Sequence, residues 1–353
     1  MTAIFLCRRL ADYFYQCICH FSETYKIQAI IITTPPDPAS PFQFEANERV
    51  TILPVSSKNA AEWISYIQQN QASVIYIAGW ADKIYNPIAK HFKPLIPVVM
   101  GIDAQWRNTF KQHLGVLASS FRVKPYCNKV WIAGLFQFEF VRKLGFAKNE
   151  ILTGVYAANT SLLHKAYTDF RSKYIPQKEK TLLFVGRLIE LKNLAFLINT
   201  FQSLSEKERN NWKILIVGNG HLKTDLQKLA GENVLFQDFI EPKNLPELMS
   251  RCDAFCLPSY YDQWGVVVHE AAAMGLPMLI SEVCGAMATF LIVQYNGFSF
   301  SPYETASLKK SFVQLFELSD TALLEMGKNS HNLSHRITLD TWAATLKSVF
   351  LAD

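Results

Sequence analysis

Short runs of apolar, largely β-branched residues recur along this chain, each bounded by breakers and most followed by a stretch with helical spacing. Ala3–Leu6, Gln28–Thr33, Ser73–Ala78, Ile96–Met100 and Lys129–Ala133 are such runs in the first half. Lys180–Val185, Trp212–Val217, Val234–Phe236, Ala254–Leu257 and Met278–Ser281 repeat the grammar in the second. A strand that is apolar throughout has both faces buried, and helices between successive strands supply the cover. The pattern therefore predicts parallel sheets with helices on both sides. Helices are expected at Ala11–Phe21, Glu62–Gln69, from Ala133 through Leu144, and at Asn193–Leu204, Leu222–Ala230 and Val267–Met274. Pro35-Pro36-Asp37-Pro38 is a strong breaker after the second strand. A chain of 353 residues fits two domains, and the polar stretch Asp169–Lys180, with Pro176 inside it, is the expected linker. The fold class is then α/β, with two doubly wound Rossmann-like domains (1–170 and 171–335) facing across a cleft, where ligands of such sheets bind.

Half of the residues are hydrophobic and 18% are charged, which excludes a disordered chain. The apolar start Met1–Cys7 runs into Arg8 and Arg9, the wrong order for a secretion signal. No run reaches the roughly eighteen apolar residues of a membrane span. The expectation is a soluble, cytoplasmic protein. Seven cysteines at irregular spacing suit free thiols; Cys17-Ile18-Cys19-His20 lacks the second ligand pair a zinc site needs. Residues 1–175 carry a net charge of +8 and the remainder −3. A basic first half fits an anionic partner, although uneven surface charge alone accounts for it equally. The cations are dispersed and no nucleic-acid-binding motif is present, so no nucleic-acid partner is expected.

Two constellations carry chemistry. Phe184-Val185-Gly186-Arg187-Leu188-Ile189-Glu190-Leu191-Lys192 puts two cations just past the end of a strand. A guanidinium fork and a mobile ammonium there can hold a diphosphate and stabilise the charge it acquires on leaving. On spacing alone an ordinary solvated loop with two unremarkable cations is the plainer reading. The second is Pro258-Ser259-Tyr260-Tyr261-Asp262-Gln263-Trp264-Gly265-Val266-Val267-Val268-His269-Glu270, running on to Gly275-Leu276-Pro277. Glu270 stands on an otherwise apolar helical stretch, where a carboxylate needs a specific partner. Gly265 allows close backbone approach to a ligand, and helix-start N–H groups favour an anion.

Residues 180–300 resemble the donor-binding domain of family 4 retaining glycosyltransferases, which have the two-domain GT-B fold. The resemblance rests on Gly186-Arg187 with Lys192, Val217-Gly218-Asn219-Gly220, the Pro-Ser loop leading to Asp262 and Glu270, Gly275-Leu276-Pro277, and Asn296-Gly297. It implies that Arg187 and Lys192 bind the donor diphosphate, that Glu270 binds the nucleotide ribose, and that Asp262 binds donor-sugar hydroxyls. Gly218 belongs to the same glycine-lined site. The Gly265 and Val266 amides would lie near the phosphates and sugar, and the backbone around Ile240 would border the base; Trp264 reads equally as stacking on the donor or acceptor and as simple packing. The C-terminal segment 336–353, amphipathic over Leu339–Leu351, would cross back onto the first domain. Three features depart from the family pattern: Asp262 replaces the usual Glu, Asn193 a Gly, and Cys284-Gly285 a Gly-Gly. In the first half Cys7-Arg8-Arg9 replaces a Gly-rich loop, so the likeness there is one of layout. Asp103, with Trp106 and Arg107, is the best acceptor-side candidate, a helix cap being the plainer reading of Asp103. His20, His91, His164 and His269 read as surface or core histidines.

The function implied is sugar transfer, with retention, from a nucleoside diphosphate sugar (UDP before GDP) to a hydroxyl of a glycan or lipid-linked glycan. The setting would be bacterial surface polysaccharide or glycolipid synthesis, with peripheral contact at the inner membrane face. No cofactor is expected and no metal, since no Asp-x-Asp motif occurs. The rival readings are a nucleotide-sugar epimerase on the same fold and a non-catalytic nucleotide-sugar-binding subunit.

Overall fold

The computed structural model describes residues 1–35 and 44–350; Pro36–Pro38 of the expected breaker and Leu351 lie outside them. The chain forms two compact units, residues 1–157 with 337–353, and residues 158–336.

The first unit is built on strands β1 (Thr2–Cys7), β2 (Gln28–Thr33), β3 (Val50–Pro54), β4 (Ala72–Ala78), β5 (Val98–Ile102), β6 (Lys129–Ile132) and β7 (Ile151–Thr153). They form one parallel sheet in the order β3-β2-β1-β4-β5-β6-β7. Alternate residues serve opposite faces. Ile4, Leu6, Ile75, Ile77, Val98 and Met100 meet Trp63, Ile88, Phe92 and Phe140, which come from the helices Ala60–Gln69, Tyr85–Phe92 and Leu135–Lys143. On the other face Phe5, Tyr76 and Trp131 meet the helices Asp12–Tyr25 and Leu339–Val349. Trp342 of the C-terminal helix lies 4.8 Å from the Trp131 ring and donates its indole N–H to the Val155 carbonyl at 2.8 Å.

The second unit holds β8 (Lys180–Val185), β9 (Trp212–Val217), β10 (Val234–Gln237), β11 (Ala254–Leu257), β12 (Met278–Ser281) and β13 (Gly297–Phe300). All are parallel, in the order β10-β9-β8-β11-β12-β13. The helices Leu194–Gln202 and Thr305–Phe316 close part of its core through Phe201 and Phe312, 5.9 Å apart, and Phe316 stacks on Trp212 at 4.6 Å.

The structure moves one boundary. Asp169–Lys180 is not the connection between units; the chain passes from one to the other at Ala157/Ala158. The helix Thr160–Asp169 belongs to the second unit, with Leu163 and Ala166 buried. Arg171, polar and so linker-like in sequence, is 5% exposed and donates to the Cys252 carbonyl at 2.7 Å. Asp253 beside it accepts from the Thr181 N–H at 2.8 Å and the Tyr174 hydroxyl at 2.9 Å. Hydrogen-bonded polar groups of this kind tie a segment down, which composition does not reveal.

The histidines divide into three environments. His20 lies 2.7 Å from Asp340, and His91 is exposed beside Gln68. His269 is fully buried, accepts from the Ala158 N–H at 3.0 Å, meets the Ser334 carbonyl at 3.1 Å and stacks on Phe290. That pattern defines a neutral core imidazole with the proton on Nε2. His164 stacks on His335 at 4.2 Å, with His331 5.0 Å away. Burial, then the neighbouring His335 and His331, lower the His164 pKa from 6.5 to about 4.

Two outcomes follow. Trp342→Ala removes a buried indole and its hydrogen bond, so urea unfolding of the first unit should register a loss of about 3–5 kcal/mol; a change below about 1 kcal/mol would contradict the packing described. For His164, the unfolded chain binds the proton between about pH 6.5 and 4 while the folded chain does not. Stability of the second unit should therefore be lost as pH falls through that window, and His164→Gln should flatten the slope measured in thermal melts.

Candidate functional site

A doubly wound sheet binds ligands beyond the C-terminal ends of its strands, where successive connections diverge to opposite sides. In the second unit that point lies between β8 and β11. Gly186, Arg187 and Lys192 follow β8, and Asp262 follows β11. The Lys192 ammonium is ion-paired with the Asp262 carboxylate across this point, the two side chains being 16% and 15% exposed. The pair is sheltered enough for its charges to be screened only partly by water. Arg187 is exposed and, among the described residues, makes no ion pair.

Backbone contacts hold the surrounding loops. Tyr260 N–H donates to the Leu191 carbonyl at 2.9 Å, joining the loop after β11 to the loop after β8. Gly285 N–H donates to the Asp262 carbonyl at 3.0 Å. The ends of β8 and β9 approach so closely that a Cβ on Gly218 would stand 2.0 Å from the Gly186 carbonyl oxygen. Only glycine fits at position 218, which accounts for Gly218 without requiring that it touch a ligand.

Asn193 holds the left-handed conformation at φ 55°, and its amide donates to the Pro302 carbonyl at 3.0 Å. Asn is among the few residues other than glycine that adopt this region readily, so the departure from Gly leaves the turn intact. Gly265, also left-handed at φ 82°, starts the helix Val266–Ala273; a Cβ there would be 3.4 Å from Asp262 Cγ and 3.0 Å from Cys284 Sγ. Cys284 thus fills the space beside Gly265, and its buried thiol donates to the Trp264 carbonyl at 3.1 Å. Burial pushes that thiol's pKa upward.

Gly265, Val266 and Glu270 are half-buried on one helical segment, and Ile240 is half-buried just past β10. Trp264 takes the packing alternative. It is 3% exposed and packs edge-on against Phe290 at 5.9 Å, so its ring belongs to the core and is closed to a ligand. In sequence an indole next to Gly265 reads equally as a stacking platform or as packing; burial separates the two.

Sequence reasoning did not single out the stacked tyrosines at the rim, Tyr260 and Tyr303, whose ring centroids are 5.6 Å apart and whose faces are 40% and 66% exposed. It also passed over Ser259 and Ser281, buried at the ends of β11 and β12, whose hydroxyls have no hydrogen-bond partner among the described residues. Tyr260 lies inside the motif and was detectable; Tyr303 comes from a distant loop.

The first unit has its own divergence point between β1 and β4. Arg8, where a Gly-rich loop was expected, pairs there with Asp82 at 3.7 Å. Asp103 ends up in the loop after β5 and is not a helix cap, because the helix Phe110–Leu117 is capped by Thr109. Its carboxylate accepts from the Tyr156 hydroxyl at 3.2 Å, and burial raises the Tyr156 pKa well above the usual range, keeping it a donor. Trp106 stacks on Phe140 at 6.0 Å and Arg107 is exposed. Among the described residues no three His, Cys, Asp or Glu side chains are grouped as a metal-ligand set, and all seven cysteines are free thiols.

Residues 167–332 match the family model described as glycosyl transferases group 1. An uncharacterized glycosyltransferase of Methanocaldococcus jannaschii is 34% identical over 122 residues, which is 33% of this chain and 31% of that protein. The chain thus aligns with about a third of that relative's length. Among solved structures, sucrose-phosphate synthase from Thermosynechococcus elongatus superposes with a TM-score of 0.76 at 14% identity, covering 99% of this chain and 98% of that one. HepE of Anabaena, solved with UDP, superposes at 0.74 with 16% identity, covering 99% of each chain. The fold is GT-B.

Proposed function

We propose that this protein is a family 4 retaining glycosyltransferase. It moves a sugar from a nucleoside diphosphate sugar, UDP in preference to GDP, to a hydroxyl of a glycan or lipid-linked glycan. The reading is carried by the Lys192–Asp262 pair across the β8/β11 divergence point, with Arg187 exposed beside it. A nucleotide partner of the UDP kind is suggested by HepE, which shares the fold and is solved with UDP.

In this reading Arg187 and Lys192 hold the diphosphate, Glu270 accepts from the ribose hydroxyls and Asp262 from hydroxyls of the donor sugar. The Gly265 and Val266 amides face the phosphates and the backbone at Ile240 borders the base. Asp103 faces the acceptor. The bond from the anomeric carbon to the diphosphate oxygen breaks, and its electron pair stays on that oxygen, stabilised by Arg187 and Lys192. The acceptor oxygen bonds to the same face of the sugar and its proton passes to the departing phosphate, so configuration is retained. Lys192 enters this scheme already oriented by Asp262, which limits the reorganisation the site needs when the donor arrives. The acceptor setting is surface polysaccharide or glycolipid synthesis on the cytoplasmic side of the inner membrane.

The test is nucleoside diphosphate release from UDP- and GDP-sugars in turn, with binding measured on the same samples. One UDP-sugar should be turned over. Lys192→Ala should lower kcat/KM by about 10²–10³-fold, the size expected for one donor to a developing anion. Glu270→Ala should abolish measurable release, a chelator should leave the rate unchanged, and NMR of the product should show the donor's anomeric configuration. Absence of binding to every donor would overturn the reading.

A further inference from the structure

Most large apolar side chains of the first unit are inside it, but one helical face is not. Phe110, Leu114 and Leu117, spaced i, i+4 and i+7 on the helix Phe110–Leu117, are 78%, 51% and 78% exposed. Phe121, one turn further in Ser119–Arg122, is 81% exposed. Ala118 between the two helices is close to helical, at φ −87° and ψ 0°, and accepts both the Phe121 and Arg122 N–H groups on its carbonyl, so the turn carries on. At about 100° per residue these four positions share one side. No residue of Phe110–Leu117 is buried, so the helix contributes little to the unit's own core.

The charge along this segment of the sequence has one sign. Between Asp103 and Glu139 the sequence contains no Asp or Glu, while it contains Arg107, Lys111, Arg122, Lys124 and Lys129. Lys111 and Arg122 are exposed and, among the described residues, in no ion pair. A monomer gains nothing from four large apolar groups in water, and a face of this size marks an interaction surface. Exposed Phe and Leu on one side of a short helix, in a segment that carries cations and no acid between Asp103 and Glu139, match the chemistry of a bilayer surface. The apolar groups enter the acyl boundary and the cations meet anionic headgroups.

We propose that the face of Phe110, Leu114, Leu117 and Phe121 docks the first unit on an anionic lipid bilayer. The inference rests on the proposed function in one respect, that a lipid-borne acceptor gives the contact its use. The full-length protein is tested by flotation with phosphatidylcholine vesicles, with and without phosphatidylglycerol, alongside calorimetric titration with UDP. Wild type should float with the phosphatidylglycerol vesicles only, and less as salt is raised, because headgroup attraction is screened within a Debye length. Phe110→Ser/Leu117→Ser/Phe121→Ser should partition at least about tenfold more weakly, given the apolar area lost from the contact. Lys111→Glu/Arg122→Glu should lose the preference for anionic vesicles. All five side chains are exposed, so both variants should melt like wild type and keep whatever UDP affinity it has. Failure of wild type to float with anionic vesicles, or flotation of the triple variant at wild-type level, overturns docking. So does a concentration-dependent dimer that the triple variant abolishes while vesicles go unbound, which would assign the face to a second copy. Flotation as predicted with no UDP binding by wild type would leave docking standing and remove the donor-site reading instead.

Discussion

A parallel sheet cannot leave a face open to water when its strands are apolar on both sides, and most of this molecule's internal arrangement follows from covering two such sheets. In the first unit one face is closed by the helices carrying Trp63, Ile88 and Phe140, the other by Phe14 and Trp342. The second cover is completed by a helix from the far end of the chain, Leu339–Val349. Tyr85 is tied into the same frame, its one hydroxyl proton shared between the Cys7 and Ile32 carbonyls near the ends of β1 and β2. Such bonds fix where each strand stops, and the functional groups are placed by where the strands stop.

The two divergence points carry the same kind of feature with different chemistry. Between β8 and β11 a sheltered Lys–Asp pair stands beside an exposed arginine; between β1 and β4 the pair is Arg8 with Asp82, at 3.7 Å and with Arg8 largely in water. An ion pair of the first kind holds both side chains in a set geometry, whereas the second is worth little in stability. Glycine decides the first site as much as charge does. Gly218 permits its loop backbone to meet the Gly186 carbonyl at a distance no Cβ tolerates, and Gly265 turns the chain so that Asp262 and the start of the next helix lie side by side.

Legibility varied with the kind of signal. The strands β1, β4, β5, β8, β9, β11 and β12 are apolar over most of their length and could be read directly, because burial on both faces leaves few polar positions to confuse the pattern. β3, β7 and β13 are short or lie at sheet edges, and β3 ends in Pro54, so periodicity carries little information there. The helix Asp320–Ser334 was missed for a related reason: its buried residues include Gly327, Asn329, Ser330 and Ser334, which are not apolar. Arg171 misled in the opposite direction, a cation that looks solvated in sequence and is buried against carbonyls in the fold.

The order of short apolar runs and helical stretches was sufficient for the α/β class, the parallel sheets and the loops that bear Arg187, Lys192, Asp262 and Glu270, because these depend on local periodicity and on residues close in the chain. Which groups meet depended on contacts more than forty residues apart: Lys192 with Asp262, Tyr260 with Tyr303, Arg171 with Cys252. The same is true of what each side chain faces. Trp264 and Phe121 are both large aromatics in loop-rich stretches, yet one is 3% and the other 81% exposed. Nothing local distinguishes them, since burial is a property of what the rest of the chain brings alongside.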